Sequence, residues 1–480
     1  MPEPAAIPEI CRLGATALAG LIRSRKLSAR EVVTAFLDRI DAVNPRYNAI
    51  VSLRPREDVL RDADAADAAV ARGDTLGPLH GLPQAIKDLA QTKGLRTTYG
   101  SPLFADFVPT TDTVSVERIR RAGAVIIGKT NVPEMGLGSH TYNPVFGITR
   151  NAYDPGKSAG GSSGGAAVAL ALRMLPVADG SDMGGSLRNP AAFNNVFGFR
   201  PSQGRVPYAP VADAYFSQLS TEGPMARSIE DLALLLSVQS GYDARAPLSL
   251  DGPGIGRDAA SRGDPKGLRV AWLGDLGGHL AFEPGILELC QQGLSLFADL
   301  GCHVEPIAPA FDWEKLWQAF VVIRHFNVGG RYRALYDDPA KRRLLKPEMQ
   351  WEIEGGKRLG ALDVFAAAEV RTSWYGRVLE LFGAYDALLL PTAQVFPFTA
   401  EVHWPDCING RAMDSYHRWM EVVVPGTLSG CPVISVPVGF NAGGLPMGMQ
   451  IIGRPRGDRA LLQLAQAYES VCPWLTVLPG

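Results

Sequence analysis

Between Leu27 and Asn44 the apolar residues Val32, Val33, Phe36, Ile40 and Val43 recur at helical spacing, in a stretch opening on Ser28 and Glu31, the pattern of a capping box. The same period predicts a charged surface helix over "REDVLRDADAADAAVARG", and further helices over "VSVERIRRAG" and over "SIEDLALLLSVQSG", capped at Ser228. Short unbroken apolar runs ("AVII", "ALLL", "VISV") predict strands covered on both faces, as in a parallel sheet flanked by helices. The two patterns alternate over the first half of the chain. Helical signals then dominate from Asp312 to Phe382. Strands return in "YDALLLP", "CPVISVPVGF" and "PMGMQIIGRP" before a closing helix, "DRALLQLAQAYES". The polar, Gly- and Pro-rich stretch Asp251–Gly267 predicts a linker joining two portions of one fold.

The chain has 480 residues, 46% of them hydrophobic and 20% charged, which suits a well-cored protein. A net charge of −2 gives no broad basic face for nucleic acid or anionic lipid. Six cysteines without a C-x-x-C pair predict thiols in a reducing compartment and no metal cluster. The N-terminus lacks the charge and apolar run of a secretion signal. The run "AAVALAL" is far short of the ~20 residues that span a bilayer. The expected location is the cytoplasm, with no membrane partner.

Four stretches carry candidate chemistry. "GAVIIGKT" (Gly123–Thr130) matches the phosphate-loop pattern, but its variable positions read as a buried strand and Pro133 follows where a helix should run. "GGSSG" (Gly160–Gly164) matches a nucleophile elbow, yet "NAYDPGKSA" before it supplies no strand. In "ADGSDMGGSLRNPAAF", Ser186 follows Gly184 and Gly185 at the start of a short helical pattern. Such a turn converges backbone N–H groups beside a hydroxyl, as an oxyanion hole needs, though a plain helix cap reads the same way. In "HGLPQAIKDLA", Lys87 sits among apolar residues. Buried, it becomes a neutral base; with its stem packed and its amine in water, or paired with Asp88, it does nothing chemical.

Taken together and in order, GLPQAIKD, GKTNVPEMG, RNAYDPGKSAGGSSGGAAVALA, DGSDMGGSLRNPA and GFRPSQGRVP closely resemble the amidase signature family. The likeness is dense from Leu82 to Pro207 and resumes from Asp386. It implies an α/β fold with a large, mixed, mostly parallel twisted sheet and helices on both faces. It also implies one catalytic domain over residues 1–480, its core at 65–240 and 380–476, with the variable, largely helical block 245–380 shaping the pocket. The implied triad is Ser186 as nucleophile, Ser162 as bridging serine behind a cis bond to Gly161, and Lys87 as base. The backbone N–H groups of Met183, Gly184, Gly185 and Ser186 would form the oxyanion hole, with Ser163, Asp182 and Arg188 in support. No metal and no cofactor are implied. Met183 stands where the family usually has threonine, and its long thioether would favour apolar acyl groups.

The implied activity is hydrolysis of a carboxylic amide, extending to aryl amides, esters or carbamates, by a monomer or homodimer acting on small molecules. Two other readings stay open: the glutamine-hydrolysing subunit of a tRNA-dependent amidotransferase, and a catalytically silent binding protein. Trp313, Trp317, Phe320, Phe326, Tyr332, Trp374, Tyr375, Phe396 and Trp404 are expected mostly to pack, with some of them forming an apolar pocket wall.

Overall fold

The capping box forms as its spacing predicts. In the computed structural model, which describes residues 6–480, the Ser28 hydroxyl accepts the Glu31 N–H at 3.0 Å, and the Glu31 carboxylate accepts the Ser28 N–H at 2.8 Å. Helix α1 (Ala29–Tyr47) follows, with Val32, Val33, Phe36 and Ile40 buried. Strands β1 (Ile50–Val51), β2 (Pro83–Lys87) and β3 (Val125–Thr130) form a small sheet in the order β1–β3–β2. "GAVIIGKT" is therefore a strand that continues through Gly128 to Thr130. The Lys129 amine is buried and donates to Ala90 O at 2.6 Å and to Thr92 Oγ1 at 2.9 Å, so it has no phosphate-loop geometry.

The main sheet has eight strands: β4 (Ala178–Asp182), β5 (Phe197–Arg200), β6 (Thr221–Ala226), β7 (Arg269–Trp272), β8 (His303–Pro306), β9 (Ala387–Pro391), β10 (Val433–Phe440) and β11 (Pro446–Gly453). Their order is β8–β7–β9–β11–β10–β5–β6–β4. The sheet is mixed, as expected, but not mostly parallel. Only the β8–β7 and β7–β9 pairs run parallel; the others are antiparallel. Unbroken apolar runs report burial on both faces, not strand direction. β11 shows this: a Cβ at Gly448 would lie 2.9 Å from Ala192, on the short helix after Ser186, while the neighbouring Met449 reaches the helix Ile286–Asp299 at Gly293. Successive strand residues point to opposite sides, so helices cover both faces.

The helices that position the site are α2 (Gly164–Ala171), α3 (Arg188–Phe193), α4 (Trp313–Asp337), α5 (Pro347–Arg358) and α6 (Ala361–Ala384). α2 is buried along its whole length. One hydrophobic core runs through both ends of the chain. A smaller cluster, including Met135, Val328, Met349, Ile353 and Tyr416, packs α4 and α5 over the pocket region. The stretch Asp251–Gly267 connects the helix Ile229–Gln239 to β7 and is tied down on the way. Ile255 N–H donates to Ser240 Oγ at 2.8 Å, Ala259 is buried, and Asp258 pairs with Arg459.

Candidate active site

β2 ends on Lys87, which delivers its side chain inward, 1% exposed. The amine donates to Ser162 Oγ at 2.9 Å, Ser163 Oγ at 2.8 Å, Ser181 Oγ at 3.0 Å and Ser181 O at 3.1 Å. An ammonium has three protons for these four acceptors, and a neutral amine has two and a lone pair. Burial pushes Lys87 down to about 7, against the opposing fields of Asp179, Asp182 and Glu222. The amine thus titrates where a general base is useful. The solvated-stem reading and the Asp88 pairing do not hold: the Asp88 carboxylate accepts from Thr98 N–H and Oγ1 instead.

Ser162 follows a cis peptide bond from Gly161. The loop before it is fastened through its carbonyls: Ser139 Oγ donates to Gly161 O at 2.6 Å and Thr141 Oγ1 donates to Gly160 O at 2.8 Å. Ser163 N–H donates to Ser186 O at 3.2 Å, which ties this loop to the turn holding Ser186. Lys87, Ser162 and Ser186 line one cavity of about 80 Å³. Residues 178–182, whose composition reads as a loop, form edge strand β4, and this strand supplies Asp179, Ser181 and Asp182. Ser186 lies in the turn between β4 and α3. The helix begins only at Arg188, so Ser186 is not its cap.

Asp182 organises that turn. It is fully buried and accepts from Gly185 N–H at 2.8 Å and from Leu187 N–H at 3.1 Å, and from Arg188 Nε and Nη2 at 3.0 and 3.1 Å. Burial alone would raise its carboxyl, but Arg188 and Arg200 outweigh that and hold it well below the usual range. Arg188 also donates to Val423 O, Thr427 Oγ1 and Gln450 Oε1, which fixes the turn to the C-terminal part of the sheet. Gly185 has φ of +93°, and a Cβ there would meet Asn189 Oδ1 at 2.0 Å. The Gly185 N–H, one of the four amides expected to bind an oxyanion, donates to Asp182 instead. The amides of Met183, Gly184 and Ser186 have no hydrogen-bond partner among the described residues.

Sequence reasoning missed Ser181, Glu222, Arg324 and Glu352. Glu222 faces the cavity from β6, opposite Ser181, and burial pushes its carboxyl up to about 7. Arg324 lines the cavity from α4. Ser181 stands inside DGSDMGGSLRNPA, but the other three stand in no motif: Glu222 meets Ser181 only through the register of β4 with β6, and Arg324 meets Glu352 only where α4 packs on α5. Of the aromatic side chains expected to pack or wall the pocket, Tyr332 lines this cavity and Phe320 closes on Gly184, while Phe326 lines an adjoining cavity of about 340 Å³ that reaches Met183. Trp313, Trp317 and Trp374 pack in the core. His279, Glu314 and Glu421 come close enough to gather round a cation, but Arg418 already pairs with both carboxylates there.

The Amidase family model matches residues 31–462. An acylamidase from Rhodococcus erythropolis is 36% identical over 98% of this chain and 97% of its own. The A subunit of the glutamyl-tRNA(Gln) amidotransferase of Moorella thermoacetica is 35% identical over 96% and 97%. Among solved structures, a bacterial aryl acylamidase of the amidase signature family superposes with a TM-score of 0.90 at 29% identity, over 96% of each chain.

Proposed function

This chain belongs to the amidase signature family, and we propose from that premise that it is a stand-alone amidase using Ser186 as nucleophile, Ser162 as relay and Lys87 as base. It is a hydrolase of carboxylic amide C–N bonds. The observation that carries the residue assignment is the buried Lys87 amine, hydrogen-bonded to Ser162 in the cavity that Ser186 also lines.

Ser186 Oγ attacks the amide carbon while its proton passes to Ser162, whose own proton passes to Lys87. The carbonyl oxygen becomes an oxyanion facing the amides of Met183, Gly184 and Ser186, and each such donor contributes about 2.7–4 kcal/mol to the transition state. Lys87 returns a proton through Ser162 to the departing nitrogen, and the C–N bond breaks to leave an acyl-enzyme. Water then attacks the ester under the same base, releasing the acid and restoring Ser186. Ser163 shares the Lys87 amine, and Asp182 and Arg188 hold the turn.

The adjoining cavity, walled by Val211, Phe216, Leu219 and Phe326 beside Met183, supports bulky apolar or aryl amides as substrates. Six free cysteines support a reducing, cytoplasmic setting, and no helix among the described residues is long and apolar enough to cross a membrane. We assign the active unit to a monomer or homodimer without nucleic acid. The decisive assay screens aliphatic amides, anilides, esters and carbamates with the purified chain. At least one amide is turned over, and Ser186→Ala abolishes that turnover; activity retained by Ser186→Ala would overturn the assignment.

The likeness to an amidotransferase component favours one second reading, an ammonia-supplying subunit. Under that reading the chain co-purifies with partner subunits and glutamine is its preferred amide; under the first, it is active alone and glutamine is a poor substrate.

A further inference from the structure

Arg324 is 3% exposed and held on one side only. Its Nε donates to Glu352 Oε1 at 2.6 Å and to Tyr416 Oη at 3.2 Å, and its Nη2 donates to Tyr416 Oη at 2.7 Å. Glu352 is itself fixed by His325 Nδ1 at 2.8 Å and by Tyr416 Oη at 2.5 Å. The guanidinium plane is therefore locked before any substrate arrives. Its remaining nitrogen, Nη1, reaches Met183, which with Arg324 lines the cavity that holds Lys87, Ser162 and Ser186. The one hydrogen-bond partner of Nη1 among the described residues is the Met183 sulfur, at 3.2 Å. A thioether is a weak acceptor, and a buried guanidinium N–H left on one is poorly matched.

We infer that Arg324 Nη1 is a specificity-determining donor that binds a second oxygen acceptor on the substrate, besides the scissile carbonyl, and displaces or shares the Met183 contact. The ligand class follows from charge. Glu352 already pairs with Arg324, so Nη1 offers a hydrogen bond rather than an unpaired positive charge to a carboxylate. A neutral carbonyl, such as that of a second amide group, satisfies the donor without bringing an unpaired charge into the site. The preferred substrates are thus amides with another carbonyl in their acyl or amine portion.

This inference rests on the amidase reading above, and two matched substrate pairs test it separately from that reading. 4-Oxopentanamide against pentanamide places the extra carbonyl on the acyl side; N-(2-oxopropyl)butanamide against N-propylbutanamide places it on the amine side. A hydrogen bond to a charged donor changes affinity by about ten- to hundredfold. The wild-type kcat/KM for one carbonyl-bearing member is expected to exceed that of its partner by at least tenfold. Arg324→Lys keeps the charge beside Glu352 but loses the fixed fork; it should bring that ratio to within about threefold of unity. Binding of the same pairs to Ser186→Ala, by calorimetry, reads the preference without turnover and without altering Arg324. Equal wild-type kcat/KM and equal Ser186→Ala affinity within both pairs would overturn the inference, as would an Arg324→Lys variant that melts like wild type and keeps the ratio.

Discussion

Lys87 is the proposed base because it is a cation kept from water. Its amine, lowered to about 7, is protonated below that pH and cannot accept from Ser162. The acid limb of kcat/KM should therefore rise through about pH 7, and Lys87→Ala should lose it along with most activity while melting like wild type. When ionised, Glu222 presents a negative charge to the same amine and favours its protonated form. Removing that charge in Glu222→Gln should move the limb to lower pH; a limb that stays put or moves up would show that Glu222 does not reach Lys87. The motifs pointed to Lys87, Ser162 and Ser186, each inside a long, specific pattern, and the three line one cavity. They could not identify Glu222 or Arg324. These become part of the cavity only when β6 pairs with β4 and α4 packs over the site, and neither event leaves a local pattern.

At the scale of elements, the glycines after Ser162 serve close packing more than flexibility. A Cβ on Gly165 would lie 2.4 Å from Ala49 O and 2.4 Å from Asn131 N, both backbone atoms that cannot swing aside. Gly165→Ala should therefore push α2 off β3, destabilise by about 1–3 kcal/mol or more and lower turnover by shifting Ser162; thermal melts alongside kinetics check both, and a wild-type melt would contradict the packing argument. Long periodic helices were legible: α1 and the helix Ile229–Gln239 form with the caps their sequences announce. β4 was not, because "ADGSD" is polar and small. It is a strand only through its antiparallel register with Thr221–Ala226, a long-range partner that no local window contains.

Across the whole molecule, Asp182, Arg188 and Arg200 form a fully buried ionic knot. It joins the turn that holds Ser186 to Val423, Thr427 and Gln450, more than 230 residues further along. Removing the carboxylate would leave two buried guanidiniums unpaired, which costs about 3–5 kcal/mol. Asp182→Asn should thus lower the melting temperature at neutral pH. The sign with pH follows from the depressed carboxyl: its stabilisation is present above the unfolded value near pH 4 and is lost as pH falls below that. The gap in melting temperature between Asp182→Asn and wild type should accordingly shrink in acid. The two-faced covering of the sheet was readable from apolar runs, whereas strand direction was not, since burial is blind to it.

The central claim is that Ser186, not Ser162 or Ser163, forms the covalent bond. Treating the purified chain with a fluorophosphonate and mapping the adduct by peptide mass spectrometry tests it directly. One equivalent should appear on Ser186, labelling should vanish in Ser186→Ala, and it should slow sharply in Lys87→Ala. An adduct on Ser162 or Ser163, or undiminished labelling of Ser186→Ala, would contradict the account.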